Sequence, residues 1–420
     1  MVPKISENSN YFNYQQSGSN LMDTVGPVGL IALPGSQAFV KEIDRHLCKR
    51  RLEYLEANPE QINEPGFCRH SYIIDTTCVR FSSGEGKATL GSTVRGHDLY
   101  IVTDFLNHSV EFKQFGVNVP MGPDDHFQDL VRVILACNGK AGRINVIMPY
   151  MYESRQSIRR FRESLDCAYM LRELNNLGVE NIIAFDPHDP AIVNALPVSS
   201  VEGLPVTYQM IKALLKHVPD LKFDGEKDSA MAISSDETGM KRAIFYSSML
   251  GIPLGTFYRQ RDFSLSVQGK NPIVDYHFLG DPPAGRDILI IDDMIVTGGT
   301  FLETARKLKE HQAGRIYAII TFGLFVNGIE IFNQAHKEGL FDKIFCTNAN
   351  YHSPELEAAP WFVKVDLTKY TALLVDAMNH NASISALIDQ RTKIGNFLRK
   401  FRQGKDFDRL LKHGSDKKDA

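Results

Sequence analysis

One segment narrows the choice of fold more than any other: DILIIDDMIVTGGTFLETARKLKE, Asp287 to Glu310. A nearly pure apolar run ends in the paired acids Asp292 and Asp293. A short glycine-containing loop follows, and then a helix pattern with Phe301, Leu302, Ala305 and Leu308 on one face. An apolar run without polar alternation fits a strand buried on both faces, as in parallel sheets covered by helices. In such sheets ligands sit at the carboxyl ends of strands. Thr297, Gly298, Gly299 and Thr300 can turn successive backbone N–H groups and two hydroxyls around a phosphate, with the field of the helix N-terminus added. Two adjacent acids would repel that phosphate, so they are expected to face the hydroxyls of a sugar whose other end carries it. The expectation is a sugar-phosphate site rather than a dinucleotide site; the competing account is an acidic turn and a glycine-capped helix.

Strand and helix patterns alternate around this segment. The first 25 residues, rich in Asn and Ser, read as a flexible lead. A strand over Val28–Ser36 turns through Pro34 and Gly35 into a helix over 37–55, and a Gly-rich hairpin precedes a core strand over 98–103. The pattern then predicts helix 124–137, strand 144–148, helix 164–177 and strand 179–185. A second series follows: strand 230–234, helix 239–250, strands 252–257 and 287–291, helix 299–310, strand 315–321, helix 327–337, strand 343–347 and helix 370–378. This βαβ grammar predicts an α/β chain of two domains with mostly parallel sheets, 26–205 and 206–390, and a charged C-terminal tail over 391–420. The tail is expected to be a solvated, fraying helix, with a subunit or nucleotide contact as the other account.

Composition closes off several classes of function. The 420 residues are 43% hydrophobic and 23% charged, enough apolar content for two or three cores without staples. With 47 basic against 50 acidic residues, no global field draws the chain to nucleic acid or an anionic membrane. The apolar, uncharged stretch from Ile316 to Ile329 is too short to span a bilayer. The N-terminus has no apolar signal-peptide core. Cys48, Cys68, Cys78, Cys137, Cys167 and Cys346 include no CxxC pair and match no zinc framework, so reduced, mostly buried thiols in a cytoplasmic protein are expected.

IIDDMIVTGGT resembles the phosphoribosyl-pyrophosphate segment shared by type I phosphoribosyltransferases and ribose-phosphate pyrophosphokinases. Further segments favour the second family. RFSSGEGKATLGSTVRGHDLYIVTD resembles its Phe-Ser-Asp-Gly-Glu stretch, VIMPYMYESRQS its Tyr-Ala-Arg-Gln-Asp loop, and NIIAFDPHDPAI its Asp-Leu-His strand end. AISSDETGMKRAIFYSSMLGIPLGTFYRQR resembles its Ser-Pro-Asp-x-Gly helix and Lys-Arg-Arg hairpin base. The likeness runs from about residue 28 to about 388. It implies a type I phosphoribosyltransferase-like fold and Mg2+-dependent transfer of the β,γ-pyrophosphoryl group of ATP to the 1-hydroxyl of ribose 5-phosphate, giving 5-phosphoribosyl 1-pyrophosphate and AMP.

The resemblance also implies roles for particular residues. His188 and Asp236 are assigned to magnesium, and Arg155 and Gln156 to ATP. Phe81, Ser83 and Glu85 form an adenine-contacting hairpin that reaches a neighbouring subunit, so a homo-oligomer, often a hexamer, is implied. Asp292, Asp293, Thr297, Gly298, Gly299 and Thr300 take ribose 5-phosphate. Arg259 and Arg261 act with His188 in catalysis; read from its own residues, the stretch 262–270, with Ser264, Ser266 and Gly269, suits a mobile flap over ATP. The chain departs from the family at Arg259, where Lys is usual, at Ser83 and Ser157, where Asp is usual, and at Val296, where Asp precedes Thr-Gly. Two other readings stay open: a catalytically weak regulator in a mixed assembly, and a phosphoribosyltransferase using the same cradle.

Overall fold

The computed structural model describes residues 24–57, 66–159, 161–223, 225, 228–235, 239–261 and 273–403, with the backbone alone for 259–261 and 273–276. The first part of the chain runs β1 (Val28–Ala32), α1 (Gln37–Ala57), β2 (Thr76–Arg80), β3 (Gly86–Leu90), β4 (Asp98–Val102), β5 (Glu111–Gln114), β6 (Val117–Pro120), α2 (Pro123–Cys137), β7 (Arg143–Ile147), α3 (Asp166–Asn176), β8 (Asn181–Phe185), β9 (Ser200–Leu204) and α4 (Thr207–His217). Short 3-10 turns cover Ser154–Gln156 and Pro190–Ala195. The chain continues through β10 (Met231–Ser234), α5 (Met240–Leu250), β11 (Leu254–Arg261), β12 (Ile273–Gly280), β13 (Ile288–Ile295), α6 (Gly299–Glu310), β14 (Ile316–Gly323), α7 (Glu330–Lys337), β15 (Lys343–Thr347), α8 (Pro354–Ala358), β16 (Phe362–Val365), α9 (Thr368–Asn379), α10 (Ser385–Ile388) and α11 (Arg391–Arg402).

Two sheets result. The first, in the order β1-β4-β7-β8-β9, is parallel throughout. The second, in the order β12-β11-β10-β13-β14-β15-β16, is parallel except for β12, which pairs antiparallel with β11. Their central strands are buried along their length, as the apolar runs require. Two antiparallel hairpins, β2–β3 and β5–β6, stand apart from both sheets.

The packing comes in layers. One core lies outside the first sheet, where Phe127, Leu130 and Val133 of α2 and Met170 and Leu174 of α3 cover Leu99, Val146 and Ile182. Another lies outside the second sheet, where Phe301, Phe332 and Trp361 pack over Ile290 and Ile320. A third runs between the sheets and joins Leu30, Tyr100 and Phe185 to Leu289, Ile291 and Phe345 through residues of α4, α5, α9 and α11. The halves are therefore packed face to face rather than strung as beads.

Polar groups fix the docking at the amino ends of the first sheet. Arg143 binds the Asp98 carboxylate through Nε and Nη2, each at 2.8 Å, and donates to the Met378 carbonyl at 2.7 Å. Asn379 donates to Asp98 at 2.9 Å, and Asp376 of α9 takes Arg50 and Arg51 of α1 at 2.5 and 3.1 Å. Helix α9 follows the last strand of the second sheet in sequence yet returns to the first in space.

Several predicted elements shift at their ends. The strand expected to stop at Ile291 continues to Ile295, so Asp292 and Asp293 lie within β13 and not in the loop after it. The tail helix is not wholly solvated: Ile394, Phe397 and Leu398 of α11 are buried, and Phe397 meets Tyr208 edge-on at 5.9 Å. All six cysteines are free, but only Cys137, Cys167 and Cys346 are buried, and Cys68 is exposed. Among the described residues no helix is long and apolar enough to cross a membrane.

Candidate active site

The carboxyl ends of the two sheets meet. β8 ends at Phe185, and Asp186 turns the chain with φ of 37°, a conformation that Asp tolerates better than most residues. Two residues on, His188 Nδ1 lies 2.6 Å from Asp293 Oδ2 of β13. Asp186 itself accepts the Thr321 hydroxyl of β14 at 2.7 Å. Two residues of one sheet thus hydrogen-bond two strands of the other.

The register of the second sheet supplies the next contact. Ser234 of β10 pairs with Ile291 of β13, so the following residues, Ser235 and Asp292, come side by side. The Ser235 hydroxyl donates to Asp292 Oδ2, and the Asp293 N–H donates to Asp292 Oδ1 at 2.9 Å. Because neighbouring side chains of an extended strand leave on opposite faces, Asp292 turns toward the end of β10 while Asp293 turns toward β8.

Charge is concentrated here. Burial alone would push the Asp293 carboxyl up, but the His188 hydrogen bond and the nearby Arg242 guanidinium hold it at about 2. The same hydrogen bond raises His188 against the opposing effect of burial. Arg242, on α5, keeps its charge despite burial because Asp186, Asp293 and Asp292 all act on it. Asp186 is pushed up by burial, with Arg242 and Thr321 pulling the other way. Three carboxylates, one guanidinium and one imidazole therefore share a half-buried cleft, and the positive groups make the acids' proximity tolerable.

The glycine loop opens beside this cluster. Gly298 has φ of 86°, and a Cβ there would lie 2.1 Å from the Phe332 ring, so only glycine fits. Helix α6 starts at Gly299 with no side-chain cap and no acid in its first turn. Its first N–H groups therefore have no side-chain acceptor from the cap, and Thr297, Gly299 and Thr300 are exposed around them.

The other expected site residues fall into four groups. Arg155 and Gln156 are exposed on the Ser154–Gln156 turn, and the Arg155 charge acts on His188. Phe81, Ser83 and Glu85 sit at the tip of the β2–β3 hairpin, where Phe81 is 52% exposed and the Ser83 hydroxyl donates to Glu85 at 2.9 Å. That hairpin is tied to α2 through Arg80, which meets Asp129 at 2.5 Å, and to the β5–β6 hairpin through the Phe115 N–H and Ser82 carbonyl. Arg259 and Arg261 close β11, opposite Tyr276 and Ile273 of β12. Asp236 and the flap over 262–270 lie outside the described residues, as do residues 404–420 of the tail and 1–23 of the N-terminal lead.

Arg242, Asp186 and Thr321 belong to this cluster although sequence reasoning assigns none of them a role: Asp186 and Arg242 lie inside segments that carry the resemblance, and Thr321 lies in none. The one available signal for Arg242 is its place in the first turn of a helix that follows a strand end; Asp186 and Thr321 are brought in by the docking of the two sheets.

A metal would find mainly oxygen here. Among the described residues no group of three or more His, Cys, Asp or Glu side chains converges tightly enough to hold a metal unaided. Of the two residues that the resemblance assigns to magnesium, His188 reaches this cluster and Asp236 lies outside the described residues; so few protein donors suit a hard cation that keeps most of its shell from water and substrate phosphates, which is the habit of Mg2+.

Together the paired parallel sheets and the loop at their carboxyl ends define a type I phosphoribosyltransferase-like α/β protein. The structure is similar to the crystal structure of phosphoribosylpyrophosphate synthetase from Mycobacterium smegmatis, with a TM-score of 0.65 and 18% identity over 85% of this chain and 100% of that one. Residues 28–178 match the family model for the N-terminal domain of ribose phosphate pyrophosphokinase, and 264–389 match the phosphoribosyl synthetase-associated domain. The ribose-phosphate pyrophosphokinase of Vibrio cholerae is 27% identical over 321 residues, covering 75% of this chain and 91% of its own. That of Shewanella oneidensis is 26% identical over 331 residues, covering 76% and 92%. The chain belongs to the phosphoribosyl pyrophosphate synthetase superfamily of enzymes, as a divergent member.

Proposed function

We propose that the protein transfers the β,γ-pyrophosphoryl group of ATP to the 1-hydroxyl of ribose 5-phosphate, forming 5-phosphoribosyl 1-pyrophosphate and AMP. The observation that carries this reading is the His188–Asp293 contact between the two sheets, set beside an uncapped helix start with an open glycine loop. It matches what the reaction needs, an anion cradle for the 5-phosphate next to carboxylates for the sugar hydroxyls and a cationic region for a triphosphate.

In this mechanism Thr297 to Thr300 bind the 5-phosphate with backbone N–H groups and hydroxyls. Asp292 and Asp293 accept hydrogen bonds from the ribose and so orient its 1-hydroxyl. Arg155 and Gln156 receive the triphosphate, and Phe81, Ser83 and Glu85 receive the adenine of an ATP bound to a neighbouring subunit, in a homo-oligomer. As the 1-hydroxyl oxygen bonds to the β-phosphorus it gives up its proton to solvent, and the bond from the β-phosphorus to the α,β-bridging oxygen breaks to release AMP. Arg259 and Arg261 stabilise the charge that develops on the transferring group. Their basicity makes them donors of hydrogen bonds and not proton acceptors. Bound Mg2+, held by His188 and Asp236 with substrate oxygens, would neutralise polyphosphate charge and acidify the sugar hydroxyl.

The test is an assay with ribose 5-phosphate, ATP and Mg2+ that resolves AMP from ADP. AMP formed in step with phosphoribosyl pyrophosphate supports the proposal. Ribose 5-phosphate binding without AMP turns the reading to a regulatory homologue, and base-dependent consumption of phosphoribosyl pyrophosphate turns it to a phosphoribosyltransferase.

A further inference from the structure

Two buried hydroxyls join the cluster from outside every motif role assigned above. Ser154 is 1% exposed, and its Oγ accepts the His188 backbone N–H at 3.1 Å. Ser235 is also 1% exposed, and its hydroxyl donates to Asp292. Each stands where the motif this chain resembles has no hydroxyl: the Ala before Arg-Gln, and the Pro before Asp.

The contacts form one uninterrupted path. It starts on the turn that carries Arg155 and Gln156, passes from Ser154 to the His188 backbone and from the His188 ring to Asp293, continues through the Asp293 N–H to Asp292, and ends at Ser235 beside Asp236. Four segments far apart in sequence, from both sheets, are fixed relative to one another by this path. A hydrogen bond to a carboxylate is charge-assisted and directional, so a donor on Asp292 Oδ2 while the Asp293 N–H holds Oδ1 leaves that carboxylate little rotational freedom. A buried acceptor under the His188 N–H likewise holds the loop from which the imidazole projects.

We propose that Ser154 and Ser235 are positioning residues of this site: Ser235 sets the Asp292 carboxylate for ribose, and Ser154 ties the His188 loop to the Arg155–Gln156 turn, so that the two substrate sides keep one register. The inference rests on the reaction proposed above. Ser235 acts on ribose 5-phosphate affinity through Asp292, and Ser154 acts on turnover through His188.

Double-mutant cycles test both links. Ribose 5-phosphate affinity is read by calorimetry without ATP, and AMP formation separately. Ser235→Ala is expected to weaken affinity about tenfold, and to add less than about twofold when Asp292 is already Asn. Ser235→Thr, which keeps the hydroxyl, should recover most of the loss. Ser154→Ala should lower kcat about tenfold with ribose 5-phosphate affinity little changed, and have no added effect in His188→Ala. Unchanged affinity in Ser235→Ala, or fully multiplicative effects in either cycle, overturns the assignment. Circular dichroism separates a lost fold from a lost contact. A wild-type protein that binds ribose 5-phosphate but forms no AMP overturns the reaction and not the Ser235 link, because that cycle is read on binding alone.

Discussion

Thr321, in the second sheet, donates its hydroxyl proton to Asp186, at the end of the first, across 2.7 Å. With the His188–Asp293 contact it makes a double stitch between the sheets at their carboxyl ends, while Arg143, Asp98 and Asn379 tie the first sheet to α9 at its amino ends. The cleft is therefore held at its floor by polar contacts that apolar packing between the sheets cannot specify.

Thr321→Val keeps the shape of the side chain and removes this donor. Asp186 is already pushed up by burial, so its carboxylate would lose one of the groups that favour its charge. Urea unfolding should show a loss of about 1 kcal/mol, the ordinary value of such a bond at a half-buried site. Thr321→Ser should be close to wild type. No difference between Val and Ser would remove the contact from the docking of the sheets.

The two loop glycines should separate structure from ligand binding. Gly298→Ala meets both a left-handed φ of 86° and the Phe332 ring, so thermal unfolding should fall by several degrees. Gly299→Ala faces open space apart from the Thr297 hydroxyl at 3.9 Å, and should leave the melting temperature near wild type. If the loop receives a phosphate, that same Ala obstructs the cradle and weakens ribose 5-phosphate binding. Normal binding by Gly299→Ala would move the phosphate elsewhere.

Stability should depend on pH through Asp104. This residue follows β4, is 7% exposed, and accepts the N–H groups of Leu106 at 3.0 Å and of Tyr351, beyond β15, at 2.7 Å. Burial outweighs those two donors and pushes its carboxyl up to about 7. Between the unfolded value near 4 and about 7 the folded chain holds a proton that the unfolded chain has lost, so stability falls as pH rises through that window. The free-energy difference between wild type and Asp104→Asn should decline by up to about 1.4 kcal/mol per pH unit from pH 5 to 7 and level off above. A flat difference would show that Asp104 titrates normally.

Elements carried by strong local patterns were the readable part of this fold. β13 and α6 follow from an apolar run and a glycine-marked helix start, and α2 from Phe127, Leu130, Val131 and Ile134. α4 has an equally clear signal in Met210, Ile211, Leu214 and Leu215, but no motif draws attention to it. β5, β6 and the edge strand β9 lack such a signal: they are short, and their partly exposed residues carry no consistent apolar alternation. In the site, sequence could propose only residues to which a motif gives a role. Ser154, Ser235 and Arg242 lie inside motif segments without such a role and Thr321 lies in none, because each matters through a partner 34 to 135 residues away or through charges on other strands.

The role of the β11 end can be tested by replacing its cations. Arg259 and Arg261 flank the point, between Gln260 and Arg261, where the pairing with β12 shifts register. If the two cations act on charge that appears only as the β-phosphorus is attacked, their loss should cost turnover more than ground-state binding. Arg259→Ala and Arg261→Ala should each lower kcat by about a hundredfold or more while the ATP dissociation constant, measured without ribose 5-phosphate, changes only a few-fold. Arg259→Lys tests geometry rather than charge: an ammonium on a flexible stem replaces a planar fork, and it restores the residue usual in the motif, so activity should be retained or rise. Equal losses in kcat and ATP affinity would make both residues simple ATP anchors. Normal turnover in both Ala variants would take the hairpin out of the chemistry and favour a regulatory homologue that acts within a mixed assembly.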